Sequence, residues 1–258
     1  MKYYIADAFT DTIFKGNPAG VCLPEVELDA GIMQNIAAEN NLPETAFVVK
    51  NEGSYNLRWF TPKAEIDLCG HGTLGSAFII MNFVDAETNE IRFNTRSGVL
   101  TVKRTGELYE LDFPARKTRP AAVTAEMERA VGSAVLEAHM TNTDKDLIIV
   151  LESELQVKNA AVDLDRIRSL ASHAVTITAS GDGPDFVSRN FAPNLGIPED
   201  PVTGSSHTGL IPFWAKRLNK EKMVAMQLSK RGGTLFCEDC GDRVKIAGNA
   251  ALYLRGEI

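Results

Sequence analysis

The sequence has little of what would place it in a membrane or on nucleic acid. Its long apolar stretches, such as AFIIM and LIIVL, are too short to span a bilayer. Basic residues are outnumbered, with 27 Lys and Arg against 34 Asp and Glu, for a net charge of −7. No basic field is therefore available to a phosphate backbone, and no nucleic-acid partner is expected. The N-terminal MKYYIADAFTD has no basic region ahead of an apolar core, so no signal peptide is expected. The four cysteines (Cys22, Cys69, Cys237 and Cys240) lack the spacing of a disulfide framework, and reduced thiols in a cytoplasmic protein are the simpler expectation. Neither a Rossmann nor a Walker glycine pattern occurs.

What is present is repetition. RWFTP at Arg58 to Pro62 returns as RNFAP at Arg189 to Pro193. SGVLTVKRTGELYELDF around Gly98 returns as GGTLFCEDCGDRVKIAG around Gly233, and between these echoes Cys69-Gly70 falls opposite Thr203-Gly204. Three matches in one order, at offsets of 131 to 135 residues, read as a duplicated domain rather than a solenoid, whose period is far shorter. Hydrophobic periodicity predicts strands at YYIADAF, AGVCL, ETAFVVK, YNLRWF, LIIVL and AVTITAS. It predicts helices near Ala30 to Asn40, Gly70 to Phe83, Asp163 to Ser172 and Ser205 to Leu218. The expected organisation is an N-terminal half over 1–114, a connector over 115–145 containing a helix AEMERAVGSAVLEAHM, and a C-terminal half over 146–258. The first or last strand is the candidate to cross between halves.

Both DLCGHGTLGSAF and EDPVTGSSHTGLIPFW set a Gly/Ser/Thr-rich turn before an apolar helix. Such a turn leaves backbone N–H groups at a positive dipole end, where a carboxylate or phosphate fits. Ordinary N-capping explains the same residues. If the duplicated halves face each other, the two helix starts can share one cleft. Cys69 reads as a thiol, a metal ligand or a small residue filling a turn, and its counterpart Thr203 breaks any two-thiol arrangement. His71 and His207 sit in these turns. His139 falls in the expected connector helix, and His173 before a strand. Glu44, in NNLPETAF, reads as a solvated loop carboxylate unless the fold buries it, and Asp200, in PEDPV, as a turn former. Cys237-Glu-Asp-Cys240 resembles half a zinc site, but no second pair completes it, and a hairpin turn is the expectation.

Taken together, DAFTDTIFKGNPAGV, NNLPETAFV, RWFTPKAEIDLCGHGTLGSAF and RNFAPNLGIPEDPVTGSSHTG resemble the PhzF family of phenazine-biosynthesis isomerase-like proteins, within the diaminopimelate epimerase-like superfamily. The resemblance covers nearly the whole chain. It implies an α+β fold of two pseudo-symmetric domains, each a curled, mostly antiparallel sheet around a central helix, with an active site between them. It further implies proton shuttling on a small carboxylate-bearing substrate without cofactor or metal, and a homodimer. By that analogy Glu44 is the general acid/base, and His71 and Asp200 share the catalytic role. Asn17, Gly70, Gly72, Thr73, Gly204 and Ser205 bind substrate, with Cys69, Thr203 and Ser206 as further candidates. Moving a proton between carbons needs one carboxylate that can take and return it, and burial favours such a group by desolvation. Amides and His71 can then stabilise developing charge.

The chain departs from the family pattern at Gly72, where alanine is expected, and at Ser206-His-Thr-Gly209. The rival expectations are an amino- or hydroxy-acid racemase, which needs a second base, and a non-catalytic binding protein that kept the cleft.

Overall fold

The computed structural model describes residues 1–142, 145–171 and 173–258. Ser172, at the end of an expected helix, and Thr143 and Asp144, in the expected connector, lie outside them. The chain forms two compact units: Met1–Asp112 with Ala247–Ile258, and Phe113–Ile246. No helix among the described residues is long and apolar enough to cross a membrane.

The first unit contains β1 (Lys2–Ala8), β2 (Asn17–Leu23), α1 (Ala30–Asn40), β3 (Glu44–Asn51), β4 (Ser54–Phe60), β5 (Glu65–Ile66), α2 (Gly70–Phe83), β6 (Glu90–Thr95), β7 (Gly98–Thr105) and the start of β8 (Leu108–Pro114). β1 pairs antiparallel with β2, and β2 parallel with β3, the helix α1 forming the crossover that a parallel pair requires. β4 then pairs antiparallel with β3 and β5 and parallel with β6, with α2 as the second crossover. β6 and β7 close a hairpin.

The second unit runs from the end of β8 through β9 (Thr118–Ala121), α3 (Ala125–Val131), β10 (Glu137–Thr141), β11 (Asp146–Val150), α4 (Glu154–Asn159), α5 (Leu164–Leu170), β12 (Ala174–Ser180), β13 (Phe186–Ala192), β14 (Ile197–Asp200), α6 (Gly204–Leu218), β15 (Lys222–Gln227) and β16 (Gly233–Asp239) to the start of β17 (Arg243–Gly248). Its pairing repeats the first. β10 is antiparallel to β11, and β11 parallel to β12. β13 is antiparallel to β12 and β14 and parallel to β15, which is antiparallel to β16. The duplication seen as sequence echoes is thus a duplicated order of strand pairings. The last strand, β18 (Ala250–Glu257), pairs antiparallel with β1 and belongs to the first unit.

Helix α2 is apolar on nearly every side. Leu74, Ala77, Ile79, Ile80 and Met81 are fully buried, and the helix packs on β1, β2, β3 and β18. A helix of this kind belongs inside a core. Each large aliphatic side chain so buried contributes about 1.5–3 kcal/mol. Helix α1 covers the same unit elsewhere, through a cluster of Tyr3, Cys22, Met33, Ala37, Phe47 and Phe60. In the second unit α3, α4 and α5 cover β10 to β13 through Met127, Val131, Val157, Ile167, Ile149, Ile177 and Val187. Under α6, Phe186 stacks on Trp214 with centroids 5.7 Å apart. The indole of Trp214 donates to the Thr178 hydroxyl at 3.0 Å.

The expected connector is corrected here. Residues 118–141 are β9, α3 and β10 of the second unit, and only the first half of AEMERAVGSAVLEAHM is helical. Gly132 ends α3 in the left-handed region at φ 69°, and a Cβ there would stand 2.9 Å from the Ala161 carbonyl oxygen. Beyond it Glu137–Thr141 pairs with both β9 and β11, so His139 lies on a strand rather than a helix. Pairing with two neighbours overrides the helical composition of the segment.

Candidate active site

In the first unit four of the expected site residues come together. Asn17 opens β2, Glu44 opens β3, and Cys69 and His71 sit at the start of α2. All four are buried. That corrects the reading of Glu44 as a solvated loop carboxylate, since β3 pairing in register with Ala19 of β2 carries it inside.

The His71 imidazole is the centre of the group. Its Nε2 lies 2.8 Å from Glu44 Oε2, its Nδ1 lies 3.3 Å from the Asn17 amide nitrogen, and Cys69 Sγ lies 3.6 Å from Nδ1. Burial by itself would push His71 down. Its contacts with Cys69 and then with the Glu44 carboxylate outweigh burial and hold the imidazole well above its ordinary value. Burial, reinforced by the charge of Glu44, pushes the Cys69 thiol up, so the sulfur is held as a neutral thiol. Although Glu44 Oε2 is within ion-pair distance of His71, it has no aligned hydrogen-bond donor among the described residues.

The helix start is built to stay open. Cys69 is the N-cap, its backbone extended at φ −142° and its sulfur accepting the Gly72 N–H at 3.2 Å. The Thr73 hydroxyl donates to the Cys69 carbonyl at 2.5 Å, which fixes the first turn. The Gly70 and His71 amides belong to the group that no intrahelical carbonyl can satisfy. Gly72 is a close approach: a Cβ there would meet Cys69 Sγ and Trp59 Cδ1, each at 2.9 Å. Trp59 itself was not singled out from sequence. It is fully buried, and its indole Nε1–H has no hydrogen-bond partner among the described residues. Its signal was the mismatch inside the repeat, where RWFTP sets a tryptophan against the asparagine of RNFAP.

The second unit holds Asp200, Thr203, Gly204, Ser205 and Ser206. Asp200 ends β14 and Thr203 is the N-cap of α6. The Thr203 hydroxyl donates to Asp200 Oδ2 at 2.5 Å and makes no capping bond to the helix. Ser206 donates instead to the Thr203 carbonyl at 3.0 Å. Gln227, fully buried at the end of β15, ties this turn down. Its amide donates to the Asp200 carbonyl at 2.7 Å and to Thr203 Oγ1 at 3.1 Å, and its oxygen accepts the Thr203 N–H at 2.9 Å. No local motif marks Gln227, which is 24 residues from the turn it holds. His207 Nδ1 donates to the Thr203 carbonyl at 2.7 Å, and burial pushes its pKa down to about 4. It is a neutral structural imidazole in the α6 core. Cys237 is buried on β16 with its thiol pushed up by burial, and Cys240 is exposed.

Comparison with known proteins decides the family. The profile described as Phenazine biosynthesis-like protein matches residues 6–256. The chain belongs to this PhzF family. An uncharacterized isomerase of Pseudomonas aeruginosa is 47% identical over 258 residues, covering 100% of this chain and 98% of that one. The crystal structure of a PhzF-family phenazine biosynthesis protein from Enterococcus faecalis superposes with a TM-score of 0.97 at 47% identity, covering 100% and 98% of the two chains. A probable proline racemase from Agrobacterium radiobacter matches with a TM-score of 0.65 at 8% identity, covering 100% and 92%. That last likeness is one of fold alone, and it sets the PhzF-family architecture described above beside the racemases and epimerases.

Proposed function

We propose that this PhzF-family chain is an isomerase that moves a proton between carbons of a small carboxylate-bearing metabolite, with Glu44 as the general acid/base. The observation that carries this reading is the buried Glu44 carboxylate, 2.8 Å from His71 Nε2 and with no aligned donor on Oε2 among the described residues. The names of the relatives support the reaction class.

The chemistry follows from these groups. Glu44 accepts a proton from a substrate carbon, and the electron pair left behind spreads into the adjoining unsaturated carboxylate. First-turn amides of α2 and the Trp59 N–H are the donors suited to that developing charge, and preorganised donors in a buried site cost no rearrangement during the reaction. Glu44 then returns the proton to a different carbon, so no net proton is consumed. His71 keeps the carboxylate in place and supplies a positive neighbour. Asp200 keeps the catalytic role and Ser205 the substrate-binding role that the family resemblance implies.

The test is proton exchange followed by NMR in D₂O, with cyclic and acyclic unsaturated carboxylates and amino acids. Wild type is expected to incorporate deuterium or migrate a double bond, and Glu44→Gln to lose both. Exchange that survives Glu44→Gln and vanishes in Cys69→Ala would replace this reading with a thiol-based epimerase. That second reading is favoured by one observation, the Cys69 sulfur 3.6 Å from His71 Nδ1.

A further inference from the structure

We propose that Glu44, Cys69 and His71 together form a site for one thiophilic divalent cation of the zinc class, which occupies the proposed acid/base centre and silences it. The binding stands whether or not Glu44 is the acid/base, and the silencing rests on that reading.

The donor set is the first argument. A thiol sulfur, an imidazole nitrogen and a carboxylate oxygen lie with their ligand atoms all within 4.8 Å of one another. Three protein ligands of these types with a fourth position open is the pattern of accessible zinc sites. Geometry is the second. A tetrahedral zinc with ordinary bond lengths sets its ligand atoms about 3.4–3.6 Å apart. The observed separations are 2.8 Å from His71 Nε2 to Glu44 Oε2 and 3.9 Å from Cys69 Sγ to the same nitrogen. With every pair of ligand atoms within 4.8 Å, side-chain shifts alone would seat the ion. The third argument is the outer contact. Metal-bound histidines use their other ring nitrogen on a carbonyl or carboxylate. Asn17 lies 3.3 Å from Nδ1, where its amide can turn its oxygen to that N–H.

The balance is simple. As the ion binds, the Cys69 thiol proton and the Nε2 proton of the His71 imidazolium both leave to buffer, and Nε2 coordinates as neutral imidazole with the remaining ring proton on Nδ1. No electron transfer is involved. Bound metal then holds the Glu44 oxygen that proton transfer requires, so cation and turnover exclude each other.

Soft hard-ligand discrimination follows from the sulfur: zinc and cadmium should bind, and magnesium and calcium should not. The experiment is calorimetric titration of the metal-free full chain with zinc chloride, with cadmium as an optical probe of sulfur-to-metal charge transfer. One ion per chain is expected. Cys69→Ser and His71→Gln should each weaken it about 100-fold or more, beyond what loss of an outer contact costs. Cys240→Ser should leave it unchanged. Because either site variant could disturb folding, wild-type crystals soaked in zinc provide an independent readout, with anomalous scattering expected between Glu44, Cys69 and His71. Absence of stoichiometric binding would overturn the proposal. So would binding that follows Cys237 and Cys240, or an anomalous peak elsewhere.

Discussion

The two helix starts are the same turn used in two ways. In both units an arginine two residues before the buried Phe of the echo grips a glutamate on the next strand. Arg58 holds Glu65 at 2.7 and 2.9 Å and lies over Phe60, and Arg189 holds Glu199 at 2.7 and 3.1 Å and lies over Phe191. The framework is conserved between the halves, and the chemistry is not. Where the first unit has Trp59 with an unpartnered N–H, the second has Asn190, whose amide donates to Thr176 Oγ1 at 2.8 Å. Where the first has Cys69 beside the His71–Glu44 pair, the second has Thr203 bonded to Asp200 and locked by Gln227. In the second turn Asp200, Thr203 and Gln227 satisfy one another while His207 Nε2 has no partner among the described residues, and in the first the Trp59 N–H and Glu44 Oε2 have no aligned partner. Unsatisfied buried groups are costly unless a ligand completes them. The proposed function puts the reactive part in the first unit and the positioning part in the second.

The sharpest way to break this assignment is Glu44→Gln. General acid/base residues supply about 10²–10⁴-fold in rate. The variant should lose turnover in that range while its thermal midpoint changes little. Asp200→Asn measured beside it should raise KM more than it lowers kcat, and the reverse outcome would make the two turns equal partners in the chemistry.

Stability should also divide unequally between the matched arginines. Arg189 makes the same bidentate pair as Arg58, but where the other amine of Arg58 meets the exposed Glu27 at 3.2 Å, that of Arg189 donates to the carbonyls of Val157 and Ala160 at 3.2 and 3.1 Å. Removing it leaves Glu199 unpaired and strands the carbonyls at the end of α4. Arg189→Met should cost about 3 kcal/mol and Arg58→Met about 2 kcal/mol, both read by denaturant titration. Equal losses would mean that the carbonyl contacts contribute nothing.

Much of this organisation was legible in the sequence, for identifiable reasons. Helices at Ala30–Asn40 and Gly70–Phe83 follow a single pattern from cap to end, so periodicity marked their bounds. Glu44 was not legible from its own surroundings, because NNLPETAF reads as a loop. Only the motif resemblance nominated it, and only the β2–β3 pairing buries it. Gln227 is not legible because the turn it holds lies 24 residues away, and Trp59 because a tryptophan in a strand reads as core packing. The connector misled because helix-forming residues continue past Gly132, and the strand pairing that overrides them comes from 118–121 and 146–150.

His207 sharpens the comparison through pH. Its pKa in the fold is about 4, lowered by burial, against about 6.5 in the unfolded chain. The unfolded state therefore takes up the proton first. The stability held by the neutral imidazole is complete above about pH 6.5, falls as pH drops through the window, and stops falling below about pH 4. By pH 5 the loss is about 2 kcal/mol. His207→Gln keeps a donor for the Thr203 carbonyl and removes the titration. The variant should lose less stability than wild type between pH 7 and 5, and parallel profiles would mean that His207 is solvated in the fold.

The smallest expected effect tests the central contrast most directly. Trp59 buries an N–H that nothing among the described residues accepts, so Trp59→Phe removes an unpaired donor while keeping an aromatic ring against Gly72. If that donor exists to meet a substrate carboxylate, the variant should fold as stably as wild type, within about 1 kcal/mol, yet bind substrate about tenfold more weakly. A tenfold change corresponds to about 1.4 kcal/mol, the low end for a hydrogen bond to a charged group. Unchanged KM would leave Trp59 as packing alone. Asn190→Leu in the second unit should behave in the opposite way, losing stability because Thr176 is left unpaired. An N–H that costs nothing to remove from the fold but something to remove from the complex belongs to the ligand.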